Sequence, residues 1–250
     1  MKVKNILVSQ PQPTDFEKSP YGEIARKFNV NITFRKFFKI DGIPAKDFRK
    51  ERISILDYSA VIFTSRNAVD HYFRMCKEMR VDVPETMKYF SISESTAYYL
   101  QKYVQFRKRK IFHSKENAAN LIDLIKKHKT EKFLFPCSDI HKNEIPKMLE
   151  DNKINYKKAV IYRTLAADLS DIDITKFDML VFFSPSGIKS LSKNFPDFEQ
   201  KEMIIGAFGP TTHKAIKDAG LTLNIEAPTQ SSPSMTMAIE LFLQNEAKKR

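Results

Sequence analysis

One strand–turn–helix pattern occurs twice in the sequence, and this internal repeat limits the fold more than any other feature. Residues 63–69 (FTSRNAV) match residues 182–188 (FFSPSGI), 119 positions later. Residues 93–97 (SESTA) match residues 209–213 (GPTTH), 116 positions later. Both pairs keep the same order and nearly the same spacing, and the period is far longer than that of a solenoid repeat. The sequence therefore predicts one α/β unit that has been duplicated, giving two lobes.

Short apolar runs without alternating polar residues recur through the chain. They lie at residues 6–8, 60–63, 133–135, 180–183 and 204–208. A strand has this composition when both faces of its sheet are covered, because neither face then meets water. Segments with helical spacing lie between the runs, so the sequence predicts parallel sheets with helices on both faces.

The segment after residue 63 shows the helical spacing clearly. Its apolar side chains fall on one predicted face: Ala68, Val69, Tyr72, Phe73 and Cys76. Its polar side chains fall on the opposite face: Asp70, His71, Arg74 and Lys77. A similar helix is expected after residue 208, and Gly220 is well placed to end it.

Two strand-like stretches stand outside the repeat, at residues 32–40 and 159–164. We expect them to pair as a two-stranded bridge between the lobes, which makes the first lobe discontinuous. The predicted divisions are a first lobe of residues 1–35 plus 169–250, an inserted lobe of residues 46–158, and linker strands at residues 36–45 and 159–168.

The charge balance favours a polyanionic partner. The chain has 42 Lys and Arg against 30 Asp and Glu, a net charge of +12. The densest basic run is residues 107–110, and further lysines follow up to residue 132. A solvated surface and a nucleic-acid patch are the two interpretations of this run. No RNA-recognition or zinc-finger pattern accompanies it. The charge alone therefore leaves nucleic acid, an anionic membrane surface and a multiply charged small molecule as possible partners.

Cysteine content and hydropathy bear on the compartment. The two cysteines form no Cys-x-x-Cys pair, so neither a disulfide framework nor a zinc knuckle is predicted. No apolar run approaches the roughly 20 residues of a membrane span. The first residues lack the apolar core and cleavage site of a secretory signal. We expect a cytoplasmic monomer without membrane attachment.

Hydroxyl side chains follow several of the predicted strands. Ligands of parallel α/β sheets bind beyond the carboxyl ends of the strands, where helix N-termini present free backbone N–H groups to anions. Plain helix capping is the alternative, because Ser and Thr are preferred N-caps of any helix. The candidate binding residues in these turns are Ser65, Arg66, Asn67, Thr96, Ser138, Ser184, Ser186, Gly187, Thr211 and Thr212.

No metal centre or activated nucleophile is predicted. Cys137, Asp139 and His141 alternate after a strand, but they lack a fourth partner at ligand spacing. Ser65 or Ser184 as a nucleophile would need a paired histidine, which no motif supplies. Tyr162, in the second strand-like stretch, can donate a proton to a leaving group at neutral pH. Its other interpretation is an ordinary tyrosine of an amphipathic strand.

Six sequence segments together form a recognisable pattern: residues 182–187 (FFSPSG), 207–212 (AFGPTT), 219–220 (AG), 226–229 (EAPT), 63–69 and 160–164 (VIYRT). In these segments the chain resembles the uroporphyrinogen-III synthase family. The resemblance extends over nearly the whole chain and is most specific after residue 182. The resemblance implies two flavodoxin-like lobes, the second inserted into the first and joined to it by a two-stranded β linker.

The resemblance also implies a reaction and a set of residues for it. The family closes the linear tetrapyrrole hydroxymethylbilane with inversion of ring D and loss of water, a hydro-lyase step of haem biosynthesis without metal or cofactor. The substrate carries eight carboxylates, so the resemblance implies a small-molecule partner and no nucleic acid. By resemblance Tyr162 assists departure of the ring A hydroxyl. The residues that match family positions holding acetate and propionate groups are Ser65, Thr96, Ser184, Ser186, Gly187, Thr211 and Thr212.

Two turns differ from those of many bacterial members of the family. Residues 9–11 (SQP) replace a Thr-Arg pair after the first strand, and residues 137–139 (CSD) replace an Arg-Gly-Glu-like turn. The alternative function is therefore a non-catalytic two-lobed protein that binds a tetrapyrrole or another polyanion.

Overall fold

A computed structural model describes residues 3–115, 117–141 and 143–248, which contain eleven strands and nine α-helices. The strands are β1 (Asn5–Val8), β2 (Asn31–Phe34), β3 (Phe38–Gly42), β4 (Ala60–Phe63), β5 (Lys88–Ser91), β6 (Ile111–His113), β7 (Phe133–Ser138), β8 (Tyr156–Ala166), β9 (Met179–Phe182), β10 (Ile204–Phe208) and β11 (Ile225–Ala227). The helices are α1 (Pro20–Phe28), α2 (Ala45–Phe48), α3 (Arg66–Met79), α4 (Glu94–Tyr99), α5 (Ala118–Lys126), α6 (Glu144–Asp151), α7 (Pro185–Asn194), α8 (Pro210–Asp218) and α9 (Met235–Lys248).

The first compact unit comprises Met1–Lys39 and Leu165–Arg250. Its five-stranded sheet has the order β2-β1-β9-β10-β11, and the neighbouring strands pair in parallel. Successive residues of a strand enter different apolar clusters: Met179 and Val181 join one, while Leu180 joins the other. Both faces of the central strand β9 are therefore buried, which is why it is apolar at every position.

The second unit is Ile40–Thr164, whose six-stranded sheet has the order β3-β8-β7-β4-β5-β6. Strands β8, β7, β4, β5 and β6 pair in parallel. Here too alternate residues bury on opposite faces, with Val61 in one cluster and Ile62 in the other. The predicted α/β architecture of parallel sheets covered on both faces is confirmed.

The two sheets share one strand order. The order β2-β1-β9-β10-β11 of the first unit corresponds to β8-β7-β4-β5-β6 of the second. In this correspondence β9 matches β4 and β10 matches β5, which are the strands that precede the repeated sequence segments. Numbered along the chain, the first order is the flavodoxin-like 2-1-3-4-5, whereas the parallel strands of the second unit read 3-2-1-4-5, because that unit begins with the counterpart of β9. In both sheets the chain reverses direction beside the first strand and leaves a crevice at the carboxyl ends.

Two details of the sequence interpretation are wrong. Residues 32–40 are not one strand, because residues 32–34 belong to β2, which pairs along β1 in the first unit with Ile32 opposite Ile6. The second error concerns Cys137 and Ser138, which were expected in a turn but are the last residues of β7. The longer β8 continues beside β7 across a β-bulge, so that Ser138 pairs with Tyr162 and the strand extends to it.

Candidate functional site

Tyr162 is held at the carboxyl end of β7 in the second unit. It lies on β8 opposite Ser138, and only 7% of it is exposed. Its phenol oxygen is 3.3 Å from Oγ of Ser65. Ser65 is the N-cap of α3, where its Oγ accepts a hydrogen bond from the backbone N–H of Ala68 at 3.1 Å. This N–H occupies one lone pair of the Ser65 oxygen, so the hydroxyl can either donate its proton to the phenol or accept the phenol proton on its second lone pair.

The surroundings of Tyr162 keep its phenol protonated. Burial raises the pKa of Tyr162 above the ordinary tyrosine value of 10.0, and the hydrogen bond to Ser65 partly offsets this. The group is therefore neutral near pH 7 and has a proton to donate. After donation, the Ser65 hydroxyl can donate a hydrogen bond to the phenolate oxygen. The pair has the composition of a general acid with a supporting donor.

His71 and Arg74 belong to this site, although no sequence motif points to them. The His71 ring stacks on the Tyr162 ring with a centroid distance of 4.9 Å and an interplanar angle of 17°. Arg74 Nε donates to His71 Nδ1 at 3.1 Å. A polar helix face usually meets solvent, but this part of it is covered by β3 and β8. The spacing of three residues showed that the two side chains share a face, and nothing in the sequence showed what covers it.

The other candidates of the second unit have different surroundings. Arg66 and Asn67 are exposed on the first turn of α3, and the Arg66 guanidinium lies 5.5 Å from the centre of the Tyr99 ring. Thr96 is buried at the start of α4. The Ser138 hydroxyl donates to Asp139 Oδ1 at 2.8 Å. The second unit thus brings Ser65 and Ser138 to Tyr162, while the hydroxyls of Thr96 and Ser138 already have partners.

In the first unit the predicted residues lie on the first turns of two neighbouring helices. Ser184, Ser186 and Gly187 lie at the start of α7, after β9. Oγ of Ser184 is buried and has no hydrogen-bond partner within the described part of the chain. Gly187 packs closely, because a Cβ there would lie 3.0 Å from the Phe182 ring and 3.6 Å from Oγ of Ser9. A buried hydroxyl without a partner is costly, so this turn is suited to a ligand.

Thr211 and Thr212 occupy the first turn of α8, Thr211 exposed and Thr212 buried. The N-cap of α8 is Gly209, whose φ of 90° disfavours any residue with a side chain. His213, which the sequence interpretation left out, holds this turn in place. Its Nε2 lies 2.9 Å from the carbonyl oxygen of Ala207 and 3.0 Å from that of Ala227, so it must carry the proton.

Cys137, Asp139 and His141 serve separate structural roles. Cys137 is buried in an apolar cluster, and this burial raises the pKa of its thiol to about 11. Asp139 Oδ1 accepts from the backbone N–H groups of Ile140 and Thr164. His141 Nδ1 lies 2.9 Å from the carbonyl oxygen of Ser138. Across residues 3–115, 117–141 and 143–248 no group of histidine, cysteine and carboxylate side chains could hold a metal ion. In the same ranges no helix has the length and hydropathy needed to cross a membrane.

Comparison with known proteins gives the family. The family model described as uroporphyrinogen-III synthase HemD matches residues 23–237. The chain is 28% identical to the uroporphyrinogen-III synthase of Saccharomyces cerevisiae over 123 residues, which span 44% of this chain and 45% of the yeast protein. The aligned segment thus covers less than half of that curated relative.

Two solved structures have the same fold. The uroporphyrinogen-III synthetase of Helicobacter pylori aligns with a TM-score of 0.59 at 19% identity, covering 97% of this chain and 99% of that one. A mutant uroporphyrinogen III synthase of Thermus thermophilus aligns with a TM-score of 0.55 at 11% identity, covering 99% and 100%. Because the family model matches most of the sequence, the chain belongs to the uroporphyrinogen-III synthase family.

Proposed function

We propose that this protein is an active uroporphyrinogen-III synthase, which cyclises hydroxymethylbilane to uroporphyrinogen III with inversion of ring D and loss of water. The observation that carries the proposal is the protonated phenol of Tyr162, held 3.3 Å from the Ser65 hydroxyl at the carboxyl end of a parallel sheet. Family membership supplies the substrate, and this pair supplies a proton donor for the step that releases water.

Tyr162 acts as the general acid in the proposed reaction. The phenol donates its proton to the ring A hydroxyl while the carbon–oxygen bond breaks, so the leaving group departs as water. The Ser65 hydroxyl donates a hydrogen bond to the phenolate that remains. The α-carbon of ring D that already carries the ring C bridge attacks the carbon that the hydroxyl left. The bond between that α-carbon and the ring C bridge then breaks and forms again at the free α-carbon of ring D, which inverts the ring. The proton lost from this second α-carbon on rearomatisation restores the neutral phenol. Holding the reactive chain in one geometry contributes the rest of the rate, because proximity replaces a search through many conformations.

The turns of each unit supply anion sites for the substrate carboxylates. In the first unit these are the starts of α7 and α8, with Ser184, Ser186, Gly187, Thr211 and Thr212. In the second unit they are the starts of α3 and α4, with Ser65, Arg66, Asn67 and Thr96, together with Ser138 on β7. Helix N-termini stabilise carboxylates through free N–H groups and the helix dipole. The net charge of +12 also favours a substrate with eight carboxylates.

A pair of tyrosine variants on one strand tests the role of Tyr162. Tyr162→Phe removes the acid and should lower turnover to the type III isomer by about 100-fold, the usual contribution of general acid catalysis. Binding of uroporphyrinogen III should remain nearly unchanged. Tyr156→Phe is the matched control, because Tyr156 also lies on β8 but donates to Glu150 at 2.8 Å. Full turnover by Tyr162→Phe would exclude Tyr162 from the mechanism.

We also propose that the protein works as a cytoplasmic monomer. Both cysteines are buried and unpaired, which agrees with a reducing compartment. Cell fractionation and light scattering test the two statements, and a membrane-bound fraction or a stable dimer would contradict them. Binding to DNA or RNA that weakens steeply with salt would favour the nucleic-acid interpretation of residues 107–132 instead.

A further inference from the structure

The guanidinium of Arg74 connects the helix α3 to two strands in the second unit. Its Nη2 donates to the carbonyl oxygen of Ile43, just after β3, and to that of Ile161 on β8, each at 3.0 Å. Its Nη1 pairs with Glu78, whose second oxygen accepts from the backbone N–H of Ala45 at 3.1 Å. Two strand carbonyls and a carboxylate therefore fix the plane of the guanidinium.

Glycine at position 42 gives the guanidinium its space. A Cβ at Gly42 would lie 2.7 Å from both Nε and Cζ of Arg74, closer than the two groups can approach. Because glycine has no side chain, the end of β3 lets the Arg74 guanidinium lie against the strand backbone.

The fixed guanidinium in turn fixes the state of His71. Arg74 Nε donates to His71 Nδ1 at 3.1 Å, so Nδ1 must be an unprotonated acceptor and the neutral ring carries its proton on Nε2. One tautomer and one ring orientation follow. Burial, followed by the charge of Arg74, lowers the pKa of His71 and keeps the ring neutral near pH 7.

The His71 ring lies against the face of Tyr162 at 4.9 Å, while Ser65 holds the phenol oxygen. A stacked ring restricts rotation and tilt of the tyrosine, and the serine sets the position of its oxygen. Neither contact alone fixes both the orientation of the Tyr162 ring and the position of its oxygen. A proton donor that moves by about 1 Å loses roughly 100-fold in rate, so this restraint matters for catalysis.

We propose that Arg74 and His71 are positioning residues, which hold the phenol of Tyr162 in its proton-donating geometry through the contact series Arg74–His71–Tyr162. The inference rests on the proposed function, because it assigns these residues to the general acid of that reaction. Neither residue needs to touch the substrate for this role. Sequence comparison by residue type alone would place both on an ordinary polar helix face.

Variants of the two residues separate positioning from mere stability. His71→Ala removes the stacked ring, and Arg74→Met removes the fork but keeps the length of the side chain. We expect each to lower kcat at least 10-fold and to leave KM within about twofold, since substrate contacts are retained. His71→Phe restores a stacking surface and should recover part of the lost kcat. His128→Ala is the control, because its ring packs 4.6 Å from Phe112 in the same unit without contacting Tyr162.

Nuclear magnetic resonance of ring-labelled tyrosine provides a readout that does not depend on activity. The Tyr162 signal is assigned by its loss in Tyr162→Phe. Removing the His71 ring should shift this signal, because a stacked aromatic ring changes the local magnetic field, and His128→Ala should leave it in place. An unmoved signal in His71→Ala overturns the inference even if the wild type proves inactive. Wild-type kcat in both His71→Ala and Arg74→Met, with Tyr162→Phe impaired, overturns it while leaving the proposed function intact.

Discussion

The hydrogen bond between Ser65 and Tyr162 should couple the contributions of these two residues to stability. Ser93, another serine N-cap, provides the comparison. Ser65 and Ser93 are the N-caps of α3 and α4, and each accepts a backbone N–H, at 3.1 and 3.3 Å. Losing such a cap costs about 1 kcal/mol. Ser65 also contacts the buried phenol of Tyr162, whereas Ser93 also contacts the hydroxyls of Ser95 and Thr96, and such hydrogen bonds contribute about 1 kcal/mol more in each case. Ser65→Ala and Ser93→Ala should therefore each lower the free energy of unfolding by about 2 kcal/mol, and only Ser65→Ala should be coupled to Tyr162.

A double-mutant cycle with Tyr162→Phe measures this coupling directly. The Ser65 and Tyr162 substitutions should show an interaction energy of about 1 kcal/mol, whereas Ser93 and Tyr162 should combine additively. Urea unfolding followed by circular dichroism and by tyrosine fluorescence gives the free energies, and coincident curves verify a single transition. A coupling of Ser65 to Tyr162 no larger than that of Ser93 would refute the hydrogen bond, and with it the role of Ser65 as support for the acid.

Three further predictions concern stability and reactivity. Gly42→Ala should cost about 2 kcal/mol in urea unfolding, because its Cβ displaces the Arg74 guanidinium from its hydrogen bonds; unchanged stability would contradict this packing. The Arg74 hydrogen bond lowers the pKa of Glu78 from 4.5, so this carboxylate stabilises the fold above about pH 4.5 and the gain disappears as pH falls through the lowered value. With Glu78→Gln the melting temperature should fall less steeply as the pH is lowered below about 4.5. An unchanged fall would count against the ion pair between Glu78 and Arg74. Burial raises the thiol pKa of Cys76 to about 12 and that of Cys137 to about 11, so neither should react with a thiol reagent before unfolding; rapid reaction of the native protein would disprove their burial.

The sequence predicts the α/β class well because burial on both faces leaves a direct mark on composition. Runs such as residues 60–63 and 180–183 have no polar position, and every residue of β4 and β9 is buried. The repeated turns were equally visible, since a hydroxyl beside a helix start has a local cause in capping. Local rules of this kind can be found without knowing which strands become neighbours.

Features that depend on neighbours were not predictable in the same way. The polar face of α3 looked like a solvated face, but β3 and β8 lie against His71 and Arg74. Strand β7 extends to Ser138 because the longer β8 continues beside it. The local sequence does not show this neighbour, and it predicts a turn at Cys137. His213 reaches two strand ends that lie far apart in sequence. In each case long-range packing decides the role of a residue whose local sequence is ordinary.

The tetrapyrrole isomer that the purified protein forms decides whether it is an active synthase. Freshly prepared hydroxymethylbilane is incubated with the protein, and with heat-inactivated protein as the measure of spontaneous closure. The products are oxidised and separated by chromatography. We expect the native protein to yield mainly the type III isomer, in which ring D is inverted. A product that remains entirely type I, as in the heat-inactivated sample, would contradict the proposed activity and favour a binding protein with the same fold.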